Sequence, residues 1–160
     1  MKVEASTGEV STFSYDLDNK AESETRVFLT DDEHIIYTGT YKLDKKVEHA
    51  NGVSYLKSDL QGNILAHKFH PIPLDVINKH ATNYVVGQNK YKFKRKFFED
   101  VYFPYLNIRG AFMNEDGSIL IHGETAYIKS LGENHVKHFK ENIFACKLDY
   151  KGDVMWMQSL

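Results

Sequence analysis

Three groups of residues in this chain have types and spacings that could do chemistry. In the first, His122 and Glu124 flank Gly123. A carboxylate whose pKa is raised by burial can serve as a general base, and an imidazole or second acid beside it would complete a hydrolytic pair. The plainer role for such a carboxylate is an inter-strand hydrogen bond or an exposed edge charge, because buried carboxylates are usually paired. The second group is histidine. His67 and His70, and again His135 and His138, stand three residues apart. On a helix that spacing puts both rings on one face, where they could share a zinc ion. On a strand it puts them on opposite faces. His67 and His70 close an expected strand and His135 and His138 fall in an expected loop, so polar loop and edge residues are the expectation and no metal is. The third group is the run from Lys90 to Phe98, with five cations (Lys90, Lys92, Lys94, Arg95, Lys96) among four aromatic rings. Cations for phosphates and rings for base stacking are what single-stranded nucleic acid requires. The next residues are Glu99 and Asp100, and the formal net charge of the chain is -2, which argues against nucleic acid. A solvated connector whose rings pack onto a sheet is the default.

Other chemistries lack their parts. There is no Gly-x-Ser-x-Gly elbow, and Cys146, the single cysteine, lies in an alternating strand as a core residue would. No Gly-x-Gly loop is present to cradle phosphate, so no cofactor is expected. One cysteine permits no intrachain disulfide. No apolar run approaches the roughly 18 residues of a membrane span, and Met1 to Glu9 has no apolar signal-peptide core.

The elements that must position these residues are β-strands. The 160 residues suit one domain with a real core, and ten Tyr, ten Phe and one Trp favour pleated, half-buried surfaces. Two segments match at a constant offset of 84 residues: Phe28 to Tyr41 and Phe112 to Thr125. Each holds an acidic turn, Asp31-Asp32-Glu33 or Glu115-Asp116-Gly117, between two short apolar strands. Thr40 stands where the second copy has Glu124, so the carboxylate is not a repeat feature. A second motif follows each copy: an alternating strand, an Asp-x-x-Gly turn (Asp59 to Gly62, Asp149 to Gly152) and another strand. Its offset is 90, which lengthens the second copy's connecting loop by six residues. Asp caps such a turn with its side chain and Gly tolerates the positive φ at its end. Lys2 to Val10, with Gly8, reads as the tail of a third, partial copy.

These patterns predict strands at about 10–17, 25–30, 34–41, 52–59, 63–69, 106–113, 118–125, 142–149 and 153–159. Leu74, Ile77 and Ala81 at helical spacing after Pro73 predict one short helix, followed by a basic, aromatic connector from Gly87 to about Pro104. The organisation expected is a single all-β repeat domain over 1–160. Residues 1–70 form a partial blade plus the first unit, 71–104 the helix and connector, and 105–160 the second unit. The chain reads as an excerpt of a longer array.

The Asp149-x-x-Gly152-x-x-x-Trp156 pattern resembles the blade hairpins of β-propellers, and with Glu115 to Glu124 it is similar to uncharacterised exported repeat proteins of Bacteroidota. The resemblance implies about two propeller-like blades and a periplasmic or extracellular setting. It carries no catalytic, cofactor or ligand residues. Closure of a propeller takes about four blades or more. The expected function is a non-enzymatic binding or structural module that holds a protein or carbohydrate partner on loops at a blade end. The alternatives are a propeller-type hydrolase using Glu124 with His122 or another acid, and a basic nucleic-acid module at Lys90 to Lys96. Possible binding residues are Glu124, His122, Lys92, Lys94, Arg95 and Lys96, and open sheet edges predict self-association.

Overall fold

Strands of alternating polarity assemble into two four-stranded antiparallel sheets, each a simple meander. The computed structural model describes residues 2–3, 10–11, 14–15, 20–43, 49–98, 101–130 and 136–160. The first sheet contains β3 (Ala21–Leu29), β4 (His34–Lys42), β6 (Gly52–Asp59) and β7 (Ile64–Pro71), in that spatial order. The second contains β9 (Leu106–Met113), β10 (Ile119–Ser130), β11 (Val136–Leu148) and β12 (Val154–Ser159), again in chain order. Two-residue ladders complete the β structure: β1 (Lys2–Val3) with β2 (Val10–Ser11), and β5 (His49–Ala50) with β8 (Phe103–Pro104). No sheet closes on itself among the described residues.

The first and last hairpins of each sheet, four in all, turn in the same way. In each, the residue that starts the turn exchanges two backbone hydrogen bonds with residues three and four further on. The Asp59 N–H donates to the Asn63 carbonyl at 3.1 Å and the Gly62 N–H to the Asp59 carbonyl at 3.2 Å. Asp149 with Asp153 and Gly152, Asn114 with Ser118 and Gly117, and Thr30 with His34 and Glu33 repeat the scheme. The fourth turn residue has positive φ every time: 88° at Gly62, 80° at Gly152, 75° at Gly117 and 60° at Glu33. This is the three-residue hairpin with a left-handed residue at its end. Asp59 and Asp149 cap their turns as their chemistry dictates, each Oδ1 accepting backbone N–H groups at 2.8–2.9 Å.

The core lies between the sheets. Ile36, Val53 and Tyr55 from the first sheet meet Ile119, Ile121, Phe144, Cys146 and Leu148 from the second in one cluster, all nearly or fully buried. The first strands of the two meanders run edge to edge. There the Glu24 carboxylate accepts the Ile108 N–H, and the Arg26 guanidinium donates to the Ile108 carbonyl at 2.8 Å. Two side chains of one edge thereby satisfy a peptide that the other edge leaves unpaired, which limits its capacity to recruit a foreign strand. At the far side Lys68 reaches Asp153 at 2.6 Å, and His70 Nε2 lies 2.6 Å from the Gly152 carbonyl.

Between and before the sheets the structure departs from the sequence pattern. Residues 71–104 hold two helices rather than one: α1 (Leu74–Asn78) and α2 (Asn83–Lys94). The connector expected from Gly87 onward is mostly helix. Gly87 and the β-branched pair Val85-Val86 argue against a helix by propensity, yet the ends are well made. Thr82 caps the start, its Oγ1 accepting the Val85 N–H at 3.4 Å. At the other end the Phe97 N–H donates to the Lys92 carbonyl and the Lys96 N–H to the Phe93 carbonyl, with Lys96 at φ 62°. That is a Schellman motif with lysine where glycine is usual. The strand expected over 10–17 is observed as Val10–Ser11 only. Residues 14 and 15 are not in a strand, and 12, 13, 16 and 17 lie outside the described residues.

Candidate binding cleft

The helical insert and the base of the second sheet enclose a cleft of about 520 Å3. One wall is a single face of α2. Val85, Gln88, Asn89 and Lys92 recur at spacings of three and four and so line up along the helix. Ile77, His80, Ala81 and Thr82 extend that wall into α1 and the link between the helices. The opposite wall is Tyr102, Phe103, Pro104 and Tyr105, and Thr125 and Asn142 close the base.

Each wall is held by specific bonds. Asn89, 9% exposed, donates from Nδ2 to Asn78 Oδ1 at 2.8 Å and so ties α2 to α1. Tyr102 stacks on His49, with centroids 3.9 Å apart and planes within 7°, and Tyr105 meets His49 edge-on at 5.4 Å. Tyr105 has φ 52°. Its carbonyl accepts both Asn107 Nδ2 and the Ala126 N–H, at 2.9 and 3.1 Å, which holds it there. A non-glycine residue in the left-handed region costs on the order of 1–3 kcal/mol and tends to occur at ligand sites. At the base, the Asn142 N–H donates to Thr125 Oγ1 at 2.9 Å.

One residue anchors the whole insert. Asn51, 6% exposed, sits where β4, β6 and the chain after β7 converge. Its N–H donates to the Tyr41 carbonyl, its own carbonyl accepts the Ile72 N–H, and its Oδ1 accepts the Leu43 N–H. Its Nδ2 donates to the Val101 carbonyl at 3.1 Å and the Phe98 carbonyl at 3.3 Å, just beyond α2. Nothing in the sequence marks Asn51 out, because these bonds go to backbone groups that only the fold brings together. Tyr102 and Tyr105 were equally unmarked, as aromatic residues at the end of an expected connector and the start of the second unit.

The residues singled out from sequence separate in space. Lys92 lines the cleft, whereas Lys94, Arg95 and Lys96 are exposed outside it. The rings of the basic run do not pack onto a sheet as expected. Tyr91, Phe93, Phe97 and Phe98 are all about half exposed on or just after α2, as is Val85 near its start. Glu124 and His122 lie on the other face of β10 from buried Thr125. Glu124 Oε1 accepts from Arg109 Nε at 2.9 Å and from a terminal Arg109 nitrogen at 2.6 Å, an inter-strand ion pair between β10 and β9. His122 lies parallel to the Phe112 ring at 5.4 Å and over Gly110, where a Cβ would come within 2.6 Å of Nε2. No group of three or more His, Cys, Asp or Glu among the described residues could hold a metal. His67 packs on Phe69 at 4.5 Å while His70 turns to Gly152. His135 lies outside the described residues, and so does the His138 side chain. Burial pushes the Cys146 thiol up to about 12, which keeps it protonated and unreactive at ordinary pH.

A second groove, about 290 Å3, opens between the acidic turns and contains Asp31, Asp32 and Glu115 with Lys57. Asp32 is held down to about 2, first by the Thr30 hydroxyl and then by His34 and Lys57. Its carboxylate is 2.8 Å from His34 Nδ1 and 3.7 Å from Lys57 Nζ, so that charge is answered within the chain.

No protein-family model, curated protein or solved structure matches the chain. No helix among the described residues is long and apolar enough to cross a membrane.

Proposed function

We propose that the chain is a non-enzymatic binding module on a propeller-type scaffold, and that the cleft beside α2 takes a carbohydrate. The scaffold part rests on two consecutive four-stranded meanders with the same strand order and the same turn in the first and last hairpin of each, their first strands side by side. The cleft carries the rest. Its volume falls in the usual range for small-ligand sites, and its lining mixes apolar surface with a few polar groups. Tyr102 and Tyr105 provide ring surface, while Gln88, Asn89, Asn142, Thr82 and Thr125 provide amides and hydroxyls that match sugar hydroxyls as donors and acceptors. Among the described residues the lining includes no Asp, Glu, Ser or Cys that could serve as a hydrolytic acid or nucleophile. Glu124 lies on another face with a guanidinium for partner, which weighs against the hydrolase reading.

A glycan array probed with the intact chain tests this, followed by titration calorimetry on any hit. Saccharide binding lost in Tyr102→Ala and Gln88→Ala, with the melting temperature held, is the expected result. Hydrolytic turnover abolished by Glu124→Gln would overturn it.

A further inference from the structure

We infer that the outer face of the second sheet, turned away from the first, is a dimer interface that closes on the same face of a second copy of this chain about a two-fold axis. The two sheets match residue for residue across one row. In the first sheet Phe28, Ile36, Lys57 and Ala66 stand side by side on adjacent strands. At the repeat's own offsets, 84 residues for the first two and 90 for the last two, the second sheet has Phe112, Leu120, Lys147 and Trp156, again side by side across all four strands. The first row is already an interface. Ile36 is buried in the core between the sheets, and Phe28 and Ala66 pack against that core. The second row faces away from it, because the second sheet meets the first with its opposite face, that of Ile119, Ile121, Phe144 and Cys146. Phe112 is therefore 57% exposed and Trp156 37%, and Ile143, the counterpart of fully buried Val53, is 52% exposed. A contiguous apolar face of this kind marks an interaction site, and a second sheet is what covers such a face. The lysine is no bar. Lys57 stands in the same place in the buried row, and a lysine stem lies along apolar surface with its ammonium outside.

The opposite end of the stack decides the occupant. Repeating the contact between the two sheets would seat the next copy's first sheet, by its own outer face, on Phe112 and Trp156, and would build an open filament. That face of the first sheet is covered within its own chain. Ser54, Leu56 and Ser58 on it are each at most 2% exposed, Tyr15 packs on Tyr37, and the Lys20 ammonium lies over the Phe69 ring. The free apolar face of the second sheet then has the same face of another copy for its partner, which gives an isologous and closed pair.

Sedimentation equilibrium of the intact chain tests this, and a monomer–dimer equilibrium with no larger species is the expected result. Phe112 and Trp156 lie on the two edge strands of the sheet. Phe112→Ser and Trp156→Ser should each weaken the dimer about thirtyfold or more, as loss of a buried aromatic anchor does. Leu29→Ser, at a position 68% exposed on the first sheet's outer face, should change it less than about threefold. Circular-dichroism melts at a concentration where the chain is monomeric separate a lost interface from a lost fold, because both aromatic positions are exposed in the monomer and their variants should stay folded. A chain that stays monomeric up to about 1 mM overturns the inference, and so does growth into filaments. Weakening by Trp156→Ser alone would put the contact at the edge of β12 and overturn it as well, as would an equal loss with Leu29→Ser.

Discussion

The two sheets and the helical insert between them are built on different physical terms. The sheets bury large apolar side chains against each other: Tyr55 and Phe144 are at 0% exposure, and Ile119, Ile121 and Leu148 with them. Among its described residues the insert buries Ile72, Val76, Asn89, Val101 and Phe103, and leaves Tyr84, Tyr91, Phe93, Phe97 and Phe98 about half exposed or more. Ile72, Val76 and Phe103 join the core, and polar bonds add to that hold: Asn51 at the insert's exit and the Asn89–Asn78 pair between its helices. A helix of 12 residues is marginal alone in water. The insert therefore has less apolar burial behind it than the sheets have, and it forms one wall of the cleft.

That contrast can be broken from the core outward. Phe144→Ala leaves a cavity between the sheets and should cost about 3–5 kcal/mol in denaturant melts, destabilising sheets and insert together. If hydrogen exchange showed only one sheet loosened, the two would not share a core. Gly152→Ala comes next. A Cβ there would stand 2.2 Å from the Tyr55 ring, on a backbone at φ 80°. Strain of about 1–2 kcal/mol from the left-handed backbone adds to overpacking of about 1–3 kcal/mol. Gly117→Ala has the same backbone problem, but its nearest neighbour is Tyr150 Cβ at 3.1 Å, so it should cost visibly less. Equal losses would mean that the Tyr55 contact carries no weight.

Asn51→Ala strands backbone groups at the junction and should cost about 2–3 kcal/mol. Its mark should be a selective rise in amide exchange over residues 72–104 while strand β10 stays protected. Uniform loosening would show that the insert and the sheets are one cooperative unit. The smallest effect is expected for Tyr84→Ser and Tyr91→Ser, within about 0.5 kcal/mol as for exposed positions generally. A larger loss in either would mean that the outer face of α2 is covered in solution.

Much of this architecture was legible in the residues. Alternation placed eight strands, from β3 to β12, because period-two polarity records which face of a strand meets the core, although β10 and β11 each run five or six residues further into the loop expected between them. The Asp-x-x-Gly turns announced themselves, since few residues tolerate the left-handed position that ends them. The single cysteine was readable as core for the same reason of alternation. Helix α2 was not legible. Its apolar residues follow no helical period, and its caps, Thr82 and a left-handed Lys96, are weak signals in a string of letters. Glu33, standing where the other three hairpins have glycine, shows the same limit: the fold imposes the turn and the residue complies.

The candidate site divides along that line. The sequence by itself determined that residues 90–98 are basic and aromatic and that Glu124 and His122 are neighbours. Only the tertiary structure decided that Lys92 enters a cleft while Lys94, Arg95 and Lys96 stay outside, that Tyr102 and Tyr105 face them across it, and that Glu124 answers Arg109. The physical reason is reach. Strands and turns are fixed by interactions between residues a few places apart, whereas a cleft is made by residues as distant as Ile77 and Asn142, and their meeting depends on how two sheets and an insert pack.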